Sequence, residues 1–232
     1  MSGSGPGPGH SPLTCVGIDV GGERKGFHAV ALRDGAYAAQ LVSRDVEELA
    51  HWCRSGMAAA VIAIDAPCRW SADGRSRPCE RQLNAAGIRC FASPSRAIAR
   101  SHPSNYYGWM LQGEALYAAL EPSHPLLRAL PCQGPACFET FPHAISWQLL
   151  GGRARAADKR RQRRALLQRF AVAVEALTSI DLIDAALCAL AAQVVASGAA
   201  CRVFGQADSG LIVVPAATVT PERFPRSALK EP

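Results

Sequence analysis

The 232-residue chain is 49% hydrophobic and carries a formal charge of +6, with a sequence pI near 9.0. Its apolar fraction is sufficient for a sizeable core, and its length favours one domain. The apolar runs are shorter than the roughly 18 to 20 residues of a membrane span, and the Gly- and Pro-rich start is unlike a secretory signal, so we expect a cytoplasmic protein without a membrane partner.

The first third of the chain predicts an antiparallel meander followed by a crossover to another strand. A Gly-, Pro- and Ser-rich tail is expected through residue 12, and the predicted strands cover 13–19, 26–32, 36–42 and 60–65. A capped amphipathic helix lies between the last two strands. Such a crossover predicts mixed strand pairing.

Residues 66–135 are rich in Pro, Gly, Ser and Arg, which predicts an irregular insertion or lid with short helices at 79–86 and 108–120. The remaining elements are predicted as a strand at 138–141, a helix that begins at Pro142, a basic helix at 158–177, an apolar helix at 181–196, a short strand at 211–214 and a tail at 217–232.

Four acidic residues stand where strands or a helix would bring carboxylates to one place: Asp19, Asp65, Glu139 and Asp184. A carboxylate beside a core is costly unless it is paired or binds metal, and hard oxygen ligands favour Mg²⁺ or Mn²⁺. The alternative to metal binding for Asp19 and Asp65 is a structural role, in which each aspartate stabilises the turn that follows its strand. The alternative for Glu139 is an ion pair with Arg96 or another arginine of the insertion.

Asp181 precedes Asp184 by three residues and is expected to be a second helical metal ligand or a cap. We expect His28 to be a structural histidine, because a hydrogen-bonded role is more common than catalysis or metal binding. The basic helix supplies candidate phosphate contacts, although a solvated helix face is the alternative. These candidates are Lys159, Arg160, Arg163 and Arg164.

Four short segments, 17–22, 63–67, 138–144 and 183–186, resemble the domain-of-unknown-function family 429, described as predicted nucleases of the RNase H fold. The resemblance covers about residues 14–215. It implies an α/β, RNase H-like domain at 13–216, with a central mixed five-stranded sheet and an insertion after the fourth strand.

The same resemblance implies a metal-dependent hydrolase that cleaves DNA or RNA and binds two Mg²⁺ or Mn²⁺ ions. Its catalytic and metal-binding carboxylates would be Asp19, Asp65, Glu139 and Asp184, with Asp181 as a further ligand. Two alternatives remain. Residues 17–22 also resemble the phosphate-binding hairpin of actin-like ATPases and sugar kinases, although those proteins have a duplicated domain. The chain could also be a non-catalytic nucleic-acid-binding module.

Overall fold

The computed structural model describes residues 12–221. The two predicted tails, 1–12 and 217–232, lie mostly outside this part of the chain. Within it, Val219 is buried against the main core, so the folded region extends past the predicted start of the second tail. None of the helices between residues 12 and 221 has the length and apolar character that crossing a bilayer requires.

The described strands form one mixed sheet with the order β3-β2-β1-β4-β5-β7-β6. They are β1 (Thr14–Val20), β2 (Phe27–Arg33), β3 (Ala36–Ser43), β4 (Val61–Asp65), β5 (Ala136–Glu139), β6 (Cys201–Gln206) and β7 (Gly210–Pro215). The predicted α/β class with a mixed sheet is confirmed, but the predicted count of five strands is wrong. β6 and β7 form an antiparallel hairpin that extends the sheet beyond β5; β7 contains the predicted strand at 211–214, whereas β6 has no counterpart in the prediction.

The centre of the sheet is parallel and its two ends are antiparallel. Strands β1, β2 and β3 form an antiparallel meander, whereas β1 pairs in parallel with β4, and β4 pairs in parallel with β5. After β1 the chain forms β2 and β3 on one side of that strand, and it then crosses over to form β4 on the other side. This reversal is a topological switch point, where open α/β sheets commonly bind ligands beyond the carboxyl ends of their strands.

Seven α-helices flank the sheet in the described region. They are α1 (Val46–His51), α2 (Pro78–Ala85), α3 (Arg96–Ser101), α4 (Gly108–Leu120), α5 (Pro142–Leu149), α6 (Lys159–Arg169) and α7 (Ile180–Ala196). A π-helical turn, Trp52–Gly56, follows α1, and a 3₁₀ turn, Ala156–Asp158, precedes α6. The predicted insertion at 66–135 thus contains α2, α3 and α4.

Each face of the sheet has its own hydrophobic core. Helices α1 and α4 contribute to the smaller core, which contains the strand residues Val16, Ile18, Ile62 and Ile64. Helices α2, α5, α6 and α7 contribute to the larger core on the opposite face. We call this second side the α7 face, because α7 crosses the central strands there.

Gly17 allows α7 to lie directly against β1. A Cβ atom at Gly17 would overlap the backbone nitrogen of Ala189 and the carbonyl oxygen of Ala185. Because side chains alternate along a strand, residue 19 also projects toward the α7 face. The absence of a side chain at position 17 therefore sets how close the helix comes to the strand that carries Asp19.

The basic helix is shorter than the sequence predicts. α6 ends at Arg169, and Ala171 adopts a positive φ of 58° two residues later, which stops the helix. The apolar residues Val174 and Leu177, which follow at helical spacing in the sequence, are buried in the irregular segment before α7. Their burial explains the apolar pattern without a longer helix.

Candidate active site at the carboxyl edge of the central strands

Asp19 and Asp65 lie side by side at the carboxyl ends of the two central parallel strands. They are register partners in the β1–β4 pair, so their side chains project to the same face. Adjacent strands lie about 4.8 Å apart, which puts the two carboxylates at short range. The structure therefore brings together the two aspartates that the sequence predicted as strand ligands, at the switch point of the sheet.

Asp184 approaches the same place from the first turns of α7. Its side chain is buried and forms an ion pair with the buried guanidinium of Arg163 on α6. Asp184 lies one residue before Ala185, whose carbonyl oxygen borders Gly17. The close packing of α7 on β1 thus carries Asp184 toward the strand aspartates.

The pKa values of these carboxyl groups indicate mutual repulsion in a poorly solvated site. Burial, followed by the negative charge of Asp184, raises the pKa of Asp19 to about 7. Burial and the neighbouring Asp19 raise the pKa of Asp65 well above its ordinary value. The pKa of Asp184 is also raised by burial, although Arg163 opposes that change. Each ionised aspartate raises the energy of the others.

Asp181 stands at the outer rim of this cluster. Ser179 caps α7, since its side chain accepts a hydrogen bond of 3.0 Å from the Leu182 amide. Asp181 lies in the first turn and forms a salt bridge of 3.1 Å with Lys25 from the β1–β2 connection. The N-cap of α7 is therefore Ser179 and not Asp181. The assignment of Asp181 as a metal ligand stays a prediction.

His28 is the cross-strand partner of Asp19 on β2, so it shares the α7 face. Its Nδ1 atom is buried and has no hydrogen-bond partner in the described part of the protein. Burial lowers the pKa of the imidazole, which favours the neutral ring. A buried nitrogen without a partner beside a carboxylate favours a bound water molecule or ligand at this position.

Glu139 does not join the other acidic residues. It pairs in register with Ile64, which belongs to the smaller core, so Glu139 projects to the face opposite Asp65. The buried Arg77 binds both of its oxygens, at 2.6 and 2.8 Å, and the Cys68 amide donates a further bond of 2.9 Å. Arg77 thus supplies the cation that Glu139 needs. The assignment of Glu139 as a catalytic and metal-binding residue stays a prediction.

Arg77 also holds the segment after β4 to the sheet. Its Nε atom lies 2.8 Å from Glu80 Oε1, and Glu80 accepts a further bond of 2.6 Å from the Ser93 hydroxyl. The side chains of this network are almost completely buried. The pairing of Glu139 with an arginine of the insertion, considered from the sequence, is therefore what the structure contains, with Arg77 in place of Arg96.

The predicted phosphate contacts on α6 divide into two groups. Arg163 is buried against Asp184, whereas Lys159 and Arg160 are exposed and Arg164 is partly exposed. Arg160 and Arg164 each donate a hydrogen bond to a carbonyl oxygen of the segment before α7, at 2.8 and 3.1 Å. Lys159 is close enough to Asp184 to lower its pKa. The basic face therefore adjoins the aspartate cluster.

The donor set of Asp19, Asp65 and Asp184 consists only of hard oxygens, which suits Mg²⁺ or Mn²⁺. As the side chains stand, however, no group of three or more His, Cys, Asp or Glu residues within 12–221 could hold a metal ion. The ion pair between Arg163 and Asp184 accounts for this in part, because the carboxylate already has a cationic partner. Within residues 12–221, neither Asp19 nor Asp65 forms an ion pair with a basic side chain.

The family model named DUF429, with the description protein of unknown function, matches residues 17–209. The chain belongs to DUF429. The matched region contains the whole aspartate cluster and both partner cations of this DUF429 protein, Arg163 and Lys25. No curated protein and no solved structure matches the chain.

Two residues that organise this part of the DUF429 protein were not identified from its sequence. The signal for Gly17 is a glycine two residues before a strand-end aspartate, which indicates a close backbone approach. Arg77 lies in the irregular insertion, and no local pattern relates it to Glu139, which is 62 residues away. Only the fold brings these two residues together.

Proposed function

We propose that this DUF429 protein is a divalent-metal-dependent nuclease with an RNase H-like fold. The observation that supports it most directly is the placement of Asp19 and Asp65 on the same face of adjacent parallel strands, with Asp184 approaching from α7. Three carboxylates near one point, at the switch point of a sheet, are a known arrangement for metal-assisted phosphodiester hydrolysis.

The strand order supports the fold proposal. Strands β1 to β5 consist of an antiparallel meander and a crossover to two parallel strands, and α7 follows them against β1. This is the element order that the sequence resemblance implies for an RNase H-like domain. The β6–β7 hairpin then extends the sheet beyond the strands that carry the aspartates.

The state of the carboxyl groups supports a bound cation. Asp19 and Asp65 are half-buried, repel one another and have raised pKa values, so a positive charge between them would relieve both desolvation and repulsion. The unsatisfied Nδ1 of His28 lies on the same face and favours a polar species there. We assign Asp19 and Asp65 as the ligands, and Asp184 as a third ligand when it separates from Arg163.

Bound Mg²⁺ or Mn²⁺ would stabilise charge on the scissile phosphate and lower the pKa of the attacking water. Binding of a second ion is an extension of the same proposal. The protein's own contribution is to hold the carboxylates on rigid elements and to limit their contact with water. Arg163, once released from Asp184, would be a fixed guanidinium beside the reacting phosphate.

The charge distribution supports a nucleic acid substrate. The formal charge is +6, and exposed basic side chains of α6 lie next to the aspartate cluster. Phosphate contacts from Lys and Arg dominate nonspecific affinity for nucleic acid. The actin-like and sugar-kinase alternative is less well supported, because the described strands form a single sheet and that class has a duplicated domain.

The test is incubation of the purified protein with labelled single-stranded and duplex DNA and RNA, in Mg²⁺, in Mn²⁺ and in EDTA. We expect cleavage that requires a divalent ion and is lost in D19N, D65N and D184N. The matched control is D208N, because Asp208 lies in the exposed β6–β7 turn, where its side chain is 91% exposed.

Cleavage that survives in D19N and D65N, or that disappears equally in D208N, would contradict the proposal. Binding without cleavage of any substrate by the unsubstituted protein would favour the non-catalytic nucleic-acid-binding module. The ion pair between Arg163 and Asp184 would then be a purely structural contact.

A further inference from the structure

A second feature lies on the other side of Asp65, where a pocket opens at the carboxyl edge of β4 and β5. Its cavity volume is about 60 Å³, and the pocket is partly open to solvent. Asp65 forms one wall of this pocket, so the pocket adjoins the aspartate cluster. The apolar part of its lining includes Phe91, Trp109, Met110 and Phe141.

The polar part of the lining has no unused cation. Arg77 is the single basic residue among the described side chains that line the pocket, and it is bound to Glu80 and Glu139. Those two carboxylates and Asp65 outnumber the one guanidinium. The pocket therefore disfavours a phosphate group and suits a neutral group with apolar faces.

Phe91 projects into solvent at the edge of this pocket and is 74% exposed. The segment that carries it is held on both sides. The Cys90 amide donates a bond of 3.2 Å to Asn84, and Ser93 binds Glu80 through its amide and its hydroxyl. A large aromatic ring is thus presented at a fixed place instead of packing into a core.

From this arrangement we infer that the pocket receives one unpaired nucleobase of a single-stranded nucleic acid, stacked on Phe91, while the adjoining phosphate lies at the aspartate cluster. The inference rests on the proposed function, because it assumes that the same polymer reaches Asp19 and Asp65. It adds the substrate class, since a base within a duplex is stacked on its neighbours and cannot enter the pocket.

Two further observations favour a base as the occupant. Stacking on aromatic side chains is the usual way in which proteins hold unpaired bases. In addition, a second exposed aromatic residue, Tyr106, is 56% exposed and lies three residues before Trp109 at the start of α4. The exposed aromatic side chains Phe91 and Tyr106 therefore both lie in the insertion that forms the pocket, whereas the proposed phosphate contacts are on α6.

The experiment measures binding of the full chain to a fluorescent oligothymidylate and to an abasic oligonucleotide of equal length, both in EDTA so that cleavage does not interfere. The variants are F91L, which removes the ring but keeps the apolar volume, and F91W, which keeps a ring. Y37L is the control, because Tyr37 lies on β3 at the opposite end of the sheet.

We expect F91L to weaken binding of the oligothymidylate roughly five- to a hundredfold, the effect of losing one base–aromatic stack. We also expect F91W and Y37L to retain affinity. Binding of the abasic oligonucleotide should not depend on residue 91. Equal affinities of F91L and the unsubstituted protein for oligothymidylate would overturn the inference, as would an equal loss for the abasic oligonucleotide.

The two proposals fail in different ways. If the protein binds oligothymidylate through Phe91 but cleaves nothing in Mg²⁺ or Mn²⁺, the base pocket stands and the nuclease proposal fails. If D19N abolishes cleavage while F91L changes neither binding nor the preference for single strands, the nuclease proposal stands and the base pocket fails.

Discussion

Replacement of Asp19 by Asn tests the repulsion within the aspartate cluster without any knowledge of the substrate. The pKa of Asp19 rises from 3.8 to about 7, mainly because of burial and the charge of Asp184. Since each pKa unit corresponds to about 1.4 kcal/mol, ionised Asp19 destabilises the fold by up to about 4 kcal/mol. The side chain keeps partial contact with water, where the effective dielectric constant is higher, so we expect about 2 kcal/mol.

The effect has a defined pH dependence. Between about pH 4 and pH 7 the folded protein retains a proton on Asp19 that the unfolded chain has released, so the stability of the unsubstituted protein falls as pH rises through this range. D19N lacks this proton. We therefore expect the two proteins to have similar free energies of unfolding near pH 4, and D19N to be more stable by about 2 kcal/mol near pH 8.

The measurement is urea unfolding of both proteins in EDTA across this pH range, followed by melting temperatures with added Mn²⁺. A cation that binds only the folded state stabilises it, by about 2.7 kcal/mol at a hundred times its Kd. Mn²⁺ should therefore raise the melting temperature of the unsubstituted protein more than that of D19N. If D19N were less stable near pH 8 and neither protein responded to Mn²⁺, Asp19 would be a structural hydrogen-bonding residue.

Three further predictions concern packing, the buried ion pairs and the basic face. G17A should lower the free energy of unfolding by about 3 kcal/mol, because the new Cβ would overlap the α7 backbone. The control G22A should leave that free energy unchanged, because the space around Gly22 is open. Equal stabilities of the two variants would refute the close contact at Gly17. R77M should lower the free energy of unfolding by about 3 to 5 kcal/mol, because it leaves two buried carboxylates without a cation. R128M removes a cation from an exposed pair and should lower it by less than about 1 kcal/mol. Similar losses for the two variants would contradict this reasoning. Joint neutralisation of the outer basic side chains of α6 should reduce the slope of log K against log salt, measured with a single strand, by about 0.7 for each lost phosphate contact. An unchanged slope would identify a solvated helix face. This triple variant changes Arg160, Arg161 and Arg164.

The part of the candidate site that could be predicted from sequence consists of residues at the ends of regular elements. Asp19 and Asp65 each terminate an apolar strand, and parallel neighbours must bring such ends together at one edge of the sheet. Asp184 could be placed because the apolar helix that carries it has to pack on that sheet. In each case the hydrophobic pattern limits where the acid can lie.

Glu139 shows where this reasoning ends. β5 is buried along its whole length, so its sequence has no alternation of polar and apolar residues that would reveal which side chain faces α7. A shift of one residue in register exchanges the two faces of a strand. The pairing of Glu139 with Ile64, and not with Asp65, therefore depends on tertiary structure.

β6 was missed for a related reason. It is an edge strand with mostly exposed or partly exposed residues, including Arg202 and Gly205, so its composition resembles that of a loop. The basic helix was predicted to be too long because buried residues of an irregular segment happen to follow it at helical spacing. Apolar residues at helical spacing do not by themselves distinguish a helix from a buried irregular segment.

The ion-pair network around Arg77 has a consequence for the motion of the insertion. The amides of Cys68 and Ser93 donate to the carboxylates of Glu139 and Glu80, on either side of the buried guanidinium. Separation of this segment from the sheet would leave charged groups of both signs without partners, and such local opening requires free energy close to that of global unfolding. These two amide protons should therefore exchange with solvent as slowly as those of the central strands, and the wall of the pocket beside Asp65 should behave as part of the rigid sheet and not as a mobile lid.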